Sequence, residues 1–370
     1  MIAGRLSRTL CALGLVWSLF VLDLQAQDFA KYGSSFLESG VGARALAMGG
    51  THTALARDVT AGYWNAAGLS NLQYPQAAYM HDERFAGIVK FDYGSIAFPI
   101  NNRSTFGIAF IRSGVDDIPN TWNAWDPIRD QPLPNPENYI TRFSATDYAF
   151  YFNYARAMTE TFSLGVTGKV IRRSVGRFQR GWGYSFDLAA QYQVGRFLFG
   201  ANIQDATTML VSWSVNEDRL RPLAEVFGDQ MPEGGTELYH PVAKLGTGYV
   251  LPIANDGLTN LVLGADLDLR FDGRQAFALN SGDVSFHPRL GTELNIRNIL
   301  ALRAGVGQFE FSELDGTTFT PSVGAGLNLR QITLDYGFGD FSGTTSDLGM
   351  SHRISLMVTL EQPRLKREIR

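Results

Sequence analysis

Cysteine is nearly absent: the chain has one, Cys11, near the start of an N-terminal apolar run. If that run is removed, no disulfide, thiolate nucleophile or thiolate metal site is left. Charge is also scarce, at 18% of residues with a net charge of -4. Without a basic footprint, nucleic acid is not expected as a partner. The histidines His52, His81, His240, His287 and His352 stand singly, without metal-ligand spacing, so no metal is expected. Past the N-terminus no apolar run is long enough for a spanning helix. Gly40, Gly42 and Ala45 have the spacing of a dinucleotide turn, but no strand precedes them. With no nucleophile–base grouping either, no catalytic residue, cofactor or enzyme activity is expected.

Glycine and aromatic residues are plentiful, with 39 Gly and 12% Phe, Trp and Tyr, a composition of strands and tight turns. The N-terminus carries Arg5 and Arg8, an apolar run over 10–22, then Leu24, Gln25 and Ala26. These are the parts of a secretory signal, cut after Ala26, and imply export. Residues 1–26 are read as signal peptide, 27–75 as an N-terminal plug segment and 76–360 as the β-domain. Residues 361–370 make a periplasmic basic tail with Arg364, Lys366, Arg367 and Arg370.

From 76 to 360 apolar residues alternate with polar or small ones, as in strands with two different faces. Apolar columns include Phe106, Ile108, Phe110; Tyr148, Phe150, Phe152, Tyr154; Phe186, Leu188, Ala190, Tyr192; and Ile354, Leu356, Val358, Leu360. The alternate positions hold Lys169, Asp187, Asp266, Asp268, Glu293, Arg303, Arg330 and Asp335. A lipid-facing Lys or Arg at the midplane costs about 2–4 kcal/mol, whereas a lumen-facing one meets water. A soluble β-sandwich would alternate similarly, but strands of roughly ten residues with aromatic ends favour a transmembrane antiparallel β-barrel.

The spacing predicts about fourteen strands. Tight connections, such as 101–103, 195–196 and 330–331, alternate with long ones at 115–145, 174–181, 207–237, 272–283, 310–318 and 341–348. Outer-membrane barrels have this asymmetry, with their short turns in the periplasm. A fourteen-strand lumen lies between the filled eight-strand barrel and the open sixteen-strand channel. It would leak unless occupied. The Ala- and Gly-rich segment 40–69 can fill it, with Leu46, Met48, Leu55 and Val59 packed inside, or can cap the barrel from the periplasm.

Within that segment GARALAMGG, ALARD and AGYWNAAGL carry Gly42, Ala43, Arg44, Met48, Gly49, Gly50, Asp58, Asn65, Gly68 and Leu69. This stretch resembles the opening of the PorV/PorQ family of outer-membrane proteins, within the wider class of FadL-like long-chain fatty-acid transporter barrels. It departs at Ala66, where that family has proline, so the turn loses a fixed φ. The resemblance implies a part in type IX secretion: binding C-terminal signal domains of exported cargo and delivering them to a surface attachment complex. The wider class implies the alternative, passive passage of hydrophobic small molecules.

For cargo, the candidate contacts are loop aromatics: Trp122, Trp125 and Tyr139 in 115–145, and Trp213 and Phe227 in 207–237. Pro127, Pro132, Pro134 and Pro136 stiffen the first loop. The bland reading packs these aromatics on one another. Lys169, Asp187, Asp266, Asp268, Glu293 and Arg303 are expected to pair in the lumen with one another or with the plug. For transport, the glycines at 305, 307, 324 and 326 are candidates for a strand kink. Outer-membrane lipid, secretion components with cargo domains, or a hydrophobic molecule in the lumen are the partners considered.

Overall fold

The computed structural model describes residues 35–84, 87–126, 128–221, 234–255, 257–271, 280–281, 284–312, 316–339 and 351–361. The expected signal peptide, the expected basic tail beyond 361 and Phe227 lie outside these.

Fourteen antiparallel strands close on themselves. They are β1 (Gln76–Arg84), β2 (Val89–Pro99), β3 (Ser104–Asn120), β4 (Thr141–Ala157), β5 (Phe162–Val175) and β6 (Gln179–Val194). Next come β7, in two pieces (Phe197–Gln204 and Met209–Val215), and β8, also in two (Thr236–Tyr239 and Val242–Pro252). The rest are β9 (Asn260–Arg270), β10 (Val284–Ile296), β11 (Leu300–Ser312), β12 (Gly316–Leu329), β13 (Ile332–Gly339) and β14 (Ser351–Thr359). Closure is visible at Gln76, which stands opposite Ala97 on β2 and Thr359 on β14. Among the described residues every barrel strand is paired on both sides, which is what a strand structure in lipid requires.

The two faces sort as the alternation predicts. On β4, Phe150, Phe152 and Tyr154 face outward and are exposed, while Ala149, Tyr151 and Asn153 between them are buried. The same parity exposes Leu164 and Val166 on β5, and Phe186 and Leu188 on β6. The outer wall is therefore apolar where lipid would touch it, and the polar columns face the lumen.

Several expectations need correction. The 115–145 connection shortens because β3 runs to Asn120 and β4 starts at Thr141. The 174–181 connection shrinks to residues 176–178 between β5 and β6. In both places backbone pairing continues beyond the apolar columns, where the side chains no longer report two unlike faces. Trp213 belongs to β7, not to a loop, and the Arg173 guanidinium lies 5.1 Å from its ring centroid. Arg330 occupies the tight turn between β12 and β13 with φ 61°, not the lumen.

One strand irregularity lies at the predicted glycines, beside Gly307, and a second lies where no glycine marks it. Both pieces of β7 pair with β6, Ile203 opposite Leu188 and Leu210 opposite Tyr184. Between them the chain bulges through Asp205 and Thr208, both at positive φ. Gly305 and Gly307 lie against the N-terminal segment inside the barrel, beside a register shift between Gly307 and Glu310 on β11.

That segment is inside the lumen. It comprises the short helices α1 (Ser35–Glu38), α2 (Ala43–Ala47) and α3 (Ala61–Trp64), then a 3-10 turn (Ala66–Asn71). Helix α2 packs on β11–β14, whereas the 3-10 turn packs on β3–β6, so the plug bridges facing walls. Val41, Ala47, Met48, Ala61 and Leu69 are fully buried there. A cap outside the lumen is excluded.

Candidate functional site: the plugged lumen

Backbone proximity fixes the plug first. Gly49 adopts φ 67°, and a Cβ on Gly305 of β11 would stand 2.1 Å from the Gly49 nitrogen. Only glycine permits that approach. Gly305 ends a row of four glycines in register, Gly248, Gly264, Gly291 and Gly305, across β8–β11. Met48, Thr51 and Leu55 of the plug lie against this smooth patch of wall.

Buried polar groups then fix orientation. Asn65 caps the 3-10 turn by accepting a hydrogen bond from the Ala67 N–H at 3.2 Å. Its Nδ2 donates to the carbonyls of Thr53 within the plug (2.9 Å) and Ala190 on β6 (3.0 Å). Further along the same wall, Asp266 of β9 accepts from the backbone N–H groups of His52 (2.9 Å) and Thr53 (2.8 Å). Gly68 leaves no room for a side chain, since a Cβ would meet the Ala56 carbonyl oxygen at 2.0 Å.

Charges complete the anchoring. Arg44 on α2 donates to both carboxylate oxygens of Glu293 at 2.8 Å each and lies 3.6 Å from Asp58. Glu293 also accepts from Arg303 at 2.5 Å, and Arg303 donates onward to Asp335 at 2.7 Å. Asp58 in turn accepts from the Thr60 N–H at 2.8 Å. Elsewhere Lys169 pairs with Asp187 (2.8 Å) and with Asp205 (2.6 Å) at the β7 bulge. Asp268 pairs with Arg289 at 2.6 Å. All six predicted lumen charges are thus buried, and each is bound to an opposite charge or to the plug backbone. Sequence reading missed Asp205, Arg289, Asp82 and Arg353; of these, Asp82 and Arg353 pair at 2.7 Å beneath α1.

His52, on the plug and not on a spanning strand, is 1% exposed. Burial, and after it the Arg44 charge, push its imidazole down to about 4, so it is neutral. No partner meets its Nδ1.

One cavity borders the plug and another lies within the β3–β4 loop. At the short-turn end, about 310 Å³ opens between α2 and the wall, lined by Arg44, His52, Asp58, Glu293, Arg303 and Asp335. At the long-loop end, about 520 Å³ is lined by Trp122, Ala124, Trp125, Pro132, Pro136 and Ile140. Trp122 packs edge-on against Phe178 at 4.8 Å between centroids, which ties this loop to the β5–β6 turn. Tyr139 is exposed beside the pocket residues. Of the five loop aromatics singled out from sequence, Trp122, Trp125 and Tyr139 share one loop and Trp213 stands apart. Among the described residues no cluster of His, Cys, Asp or Glu is arranged to hold a metal.

No known protein family matches the chain, and no curated protein does. Solved structures do. The Pseudomonas putida toluene transporter TodX aligns at TM-score 0.56 and 12% identity, over 88% of this chain and 100% of that one. The CymD monoaromatic hydrocarbon channel aligns at 0.54 and 12%, over 88% and 99%. The Ralstonia pickettii toluene transporter TbuX aligns at 0.52 and 12%, over 88% and 99%. Such identities speak for fold and not for substrate. The chain therefore shares the barrel fold of these transporters and this channel.

Proposed function

We propose that the protein sits in the outer membrane and lets hydrophobic small molecules cross it passively, with the plug as gate. The observation that carries this reading is a plug docked across a closed fourteen-strand lumen, with a cavity between plug and wall and, separately, an apolar pocket within the β3–β4 loop at the long-loop end. The fold shared with toluene transporters and a hydrocarbon channel supports it. An apolar solute would collect in the pocket of Trp122, Trp125 and Ile140, where aromatic walls and little polar surface suit it. Passage would then require the plug to shift, because its backbone fills the lumen at Gly49 and Ala67.

The resemblance to PorV/PorQ is the support for a secretion role. Its residues Gly49, Asn65 and Gly68 are engaged in packing the plug, and Arg44 in anchoring it. A motif so used marks a plugged barrel whichever molecule the barrel handles. Identifying what the detergent-extracted protein retains separates the readings. Hydrophobic small molecules, without secreted proteins, are the expected result. Retention of proteins sharing a C-terminal domain, with no such molecule, would overturn it.

A further inference from the structure

Phe162 on β5 stands opposite Tyr192 on β6, and ten residues further along, Arg172 stands opposite Trp182. At roughly 3.3 Å per residue and a tilt of roughly 40°, that separation is about 25 Å, the height of a barrel's apolar band. The outward residues between are apolar, small or aromatic: Leu164, Val166, Gly168 and Val170 on β5, and Tyr184, Phe186, Leu188 and Ala190 on β6. The Phe162–Tyr192 pair therefore marks one interface and the Arg172–Trp182 pair the other, at the long-loop end.

At that upper level the outward cations differ in their partners. Arg112 on β3 is held by Asp116 at 2.8 Å. Arg173, next in sequence but facing inward, is held by Asp147 at 2.9 Å and Glu237 at 2.7 Å. Arg172 is exposed, and its guanidinium lies 5.5 Å from the Trp182 ring centroid. Arg180, also exposed, follows one outward position above Trp182 and stands opposite Ser174 and Ser214. Among the described residues neither Arg172 nor Arg180 has a carboxylate within ion-pair distance, and the acids of β4 and β6, Asp147 and Asp187, face inward and are paired with Arg173 and Lys169.

Two guanidiniums on diagonal positions of adjacent strands lie about 7–8 Å apart at the backbone. Both can reach one phosphate, which a planar fork of N–H donors binds well. Ser212 stands opposite Trp182, adding a hydroxyl at the same level. Below lies the outward apolar surface of Val170, Tyr184 and Phe186, suited to acyl chains. With long loops outside the cell, this level belongs to the outer leaflet.

We propose that Arg172 and Arg180, with Trp182 between them, bind the headgroup phosphate of an outer-leaflet lipid and pin its acyl chains along β5 and β6. Leaving two cations unpaired on a lipid-facing wall is then explained by a partner that the membrane supplies.

The test is native mass spectrometry of the detergent-purified protein offered phosphatidic acid and phosphatidylcholine in equal amounts. Wild type is expected to retain phosphatidic acid in preference, and Arg172→Gln with Arg180→Gln to lose about tenfold of that preference. Arg172→Lys with Arg180→Lys keeps the charge and is expected to retain most of it. Arg196→Gln, in the tight turn at the opposite end, is expected to change nothing. Heat-modifiable gel migration confirms that each barrel is folded. Wild type without preference, or a double Gln variant that keeps it, overturns the proposal. Displacement of the lipid by millimolar inorganic phosphate also overturns it, since the site would then be one for free phosphate.

Discussion

Arg44 and Glu293 are 249 positions apart in sequence, yet they meet in a two-pronged ion pair with both hydrogen bonds at 2.8 Å. The pair joins the plug to β10, and Glu293 passes the linkage to Arg303 and Asp335. Glu293 is 2% exposed. Removing one member of such a pair strands the other, at about 3 kcal/mol, the lower end for buried pairs because Arg44 keeps some contact with water. Glu293→Gln is expected to leave the barrel folded and loosen the plug. Single-barrel conductance in planar bilayers checks this through a raised open fraction.

Gly305 and Gly49 make a second, steric prediction. Gly305→Ala would place a methyl within 2.1 Å of plug backbone. Overpacking of this kind costs about 1–3 kcal/mol. The urea midpoint of the refolded barrel is expected to fall. Gly168→Ala, where the nearest atom stands at 3.5 Å, serves as the tolerated comparison.

His52 gives the plug a dependence on pH. Its imidazole lies near 4 when docked, against an ordinary value of 6.5. Between those values the displaced plug binds the proton more readily, so docking is fully favoured above the ordinary value and weakens as pH falls toward 4. Conductance bursts are expected to become more frequent from neutral pH down to about 5. His52→Gln is expected to flatten that response.

Trp122 and Trp125 are the test of the loop pocket. Changing both to Ala removes much of the apolar lining, and burial of an aromatic solute is worth about 25 cal/mol per Å² of apolar surface. Uptake of toluene by expressing cells is expected to fall several-fold at low concentration, with barrel abundance in the outer membrane unchanged.

Much of this architecture could be read from the residues alone. Lipid imposes a strong penalty on misplaced charge, so columns such as Phe150, Phe152 and Tyr154 announce their face. Above the apolar band that contrast reverses: on β7 the outward residues are Ser212 and Ser214 while Trp213 turns inward, which is why that stretch reads as loop. The β7 bulge was hidden because Asp205 and Thr208 adopt positive φ without glycine. Lumen charges were recognisable by type, but Arg44–Glu293 and Lys169–Asp205 are set by barrel closure and by a bulge, neither of which a local pattern records. The Asn65 turn was legible, and its partners Ala190 and Ala201 on the adjoining wall were not.

The most direct test of passive hydrophobic transport is the rate of labelled toluene uptake by de-energised cells that lack their own hydrocarbon channels. Cells carrying this protein are predicted to take it up faster than vector controls, and faster still with Glu293→Gln. Equal rates in all three, with the barrels folded in the outer membrane, would contradict the account.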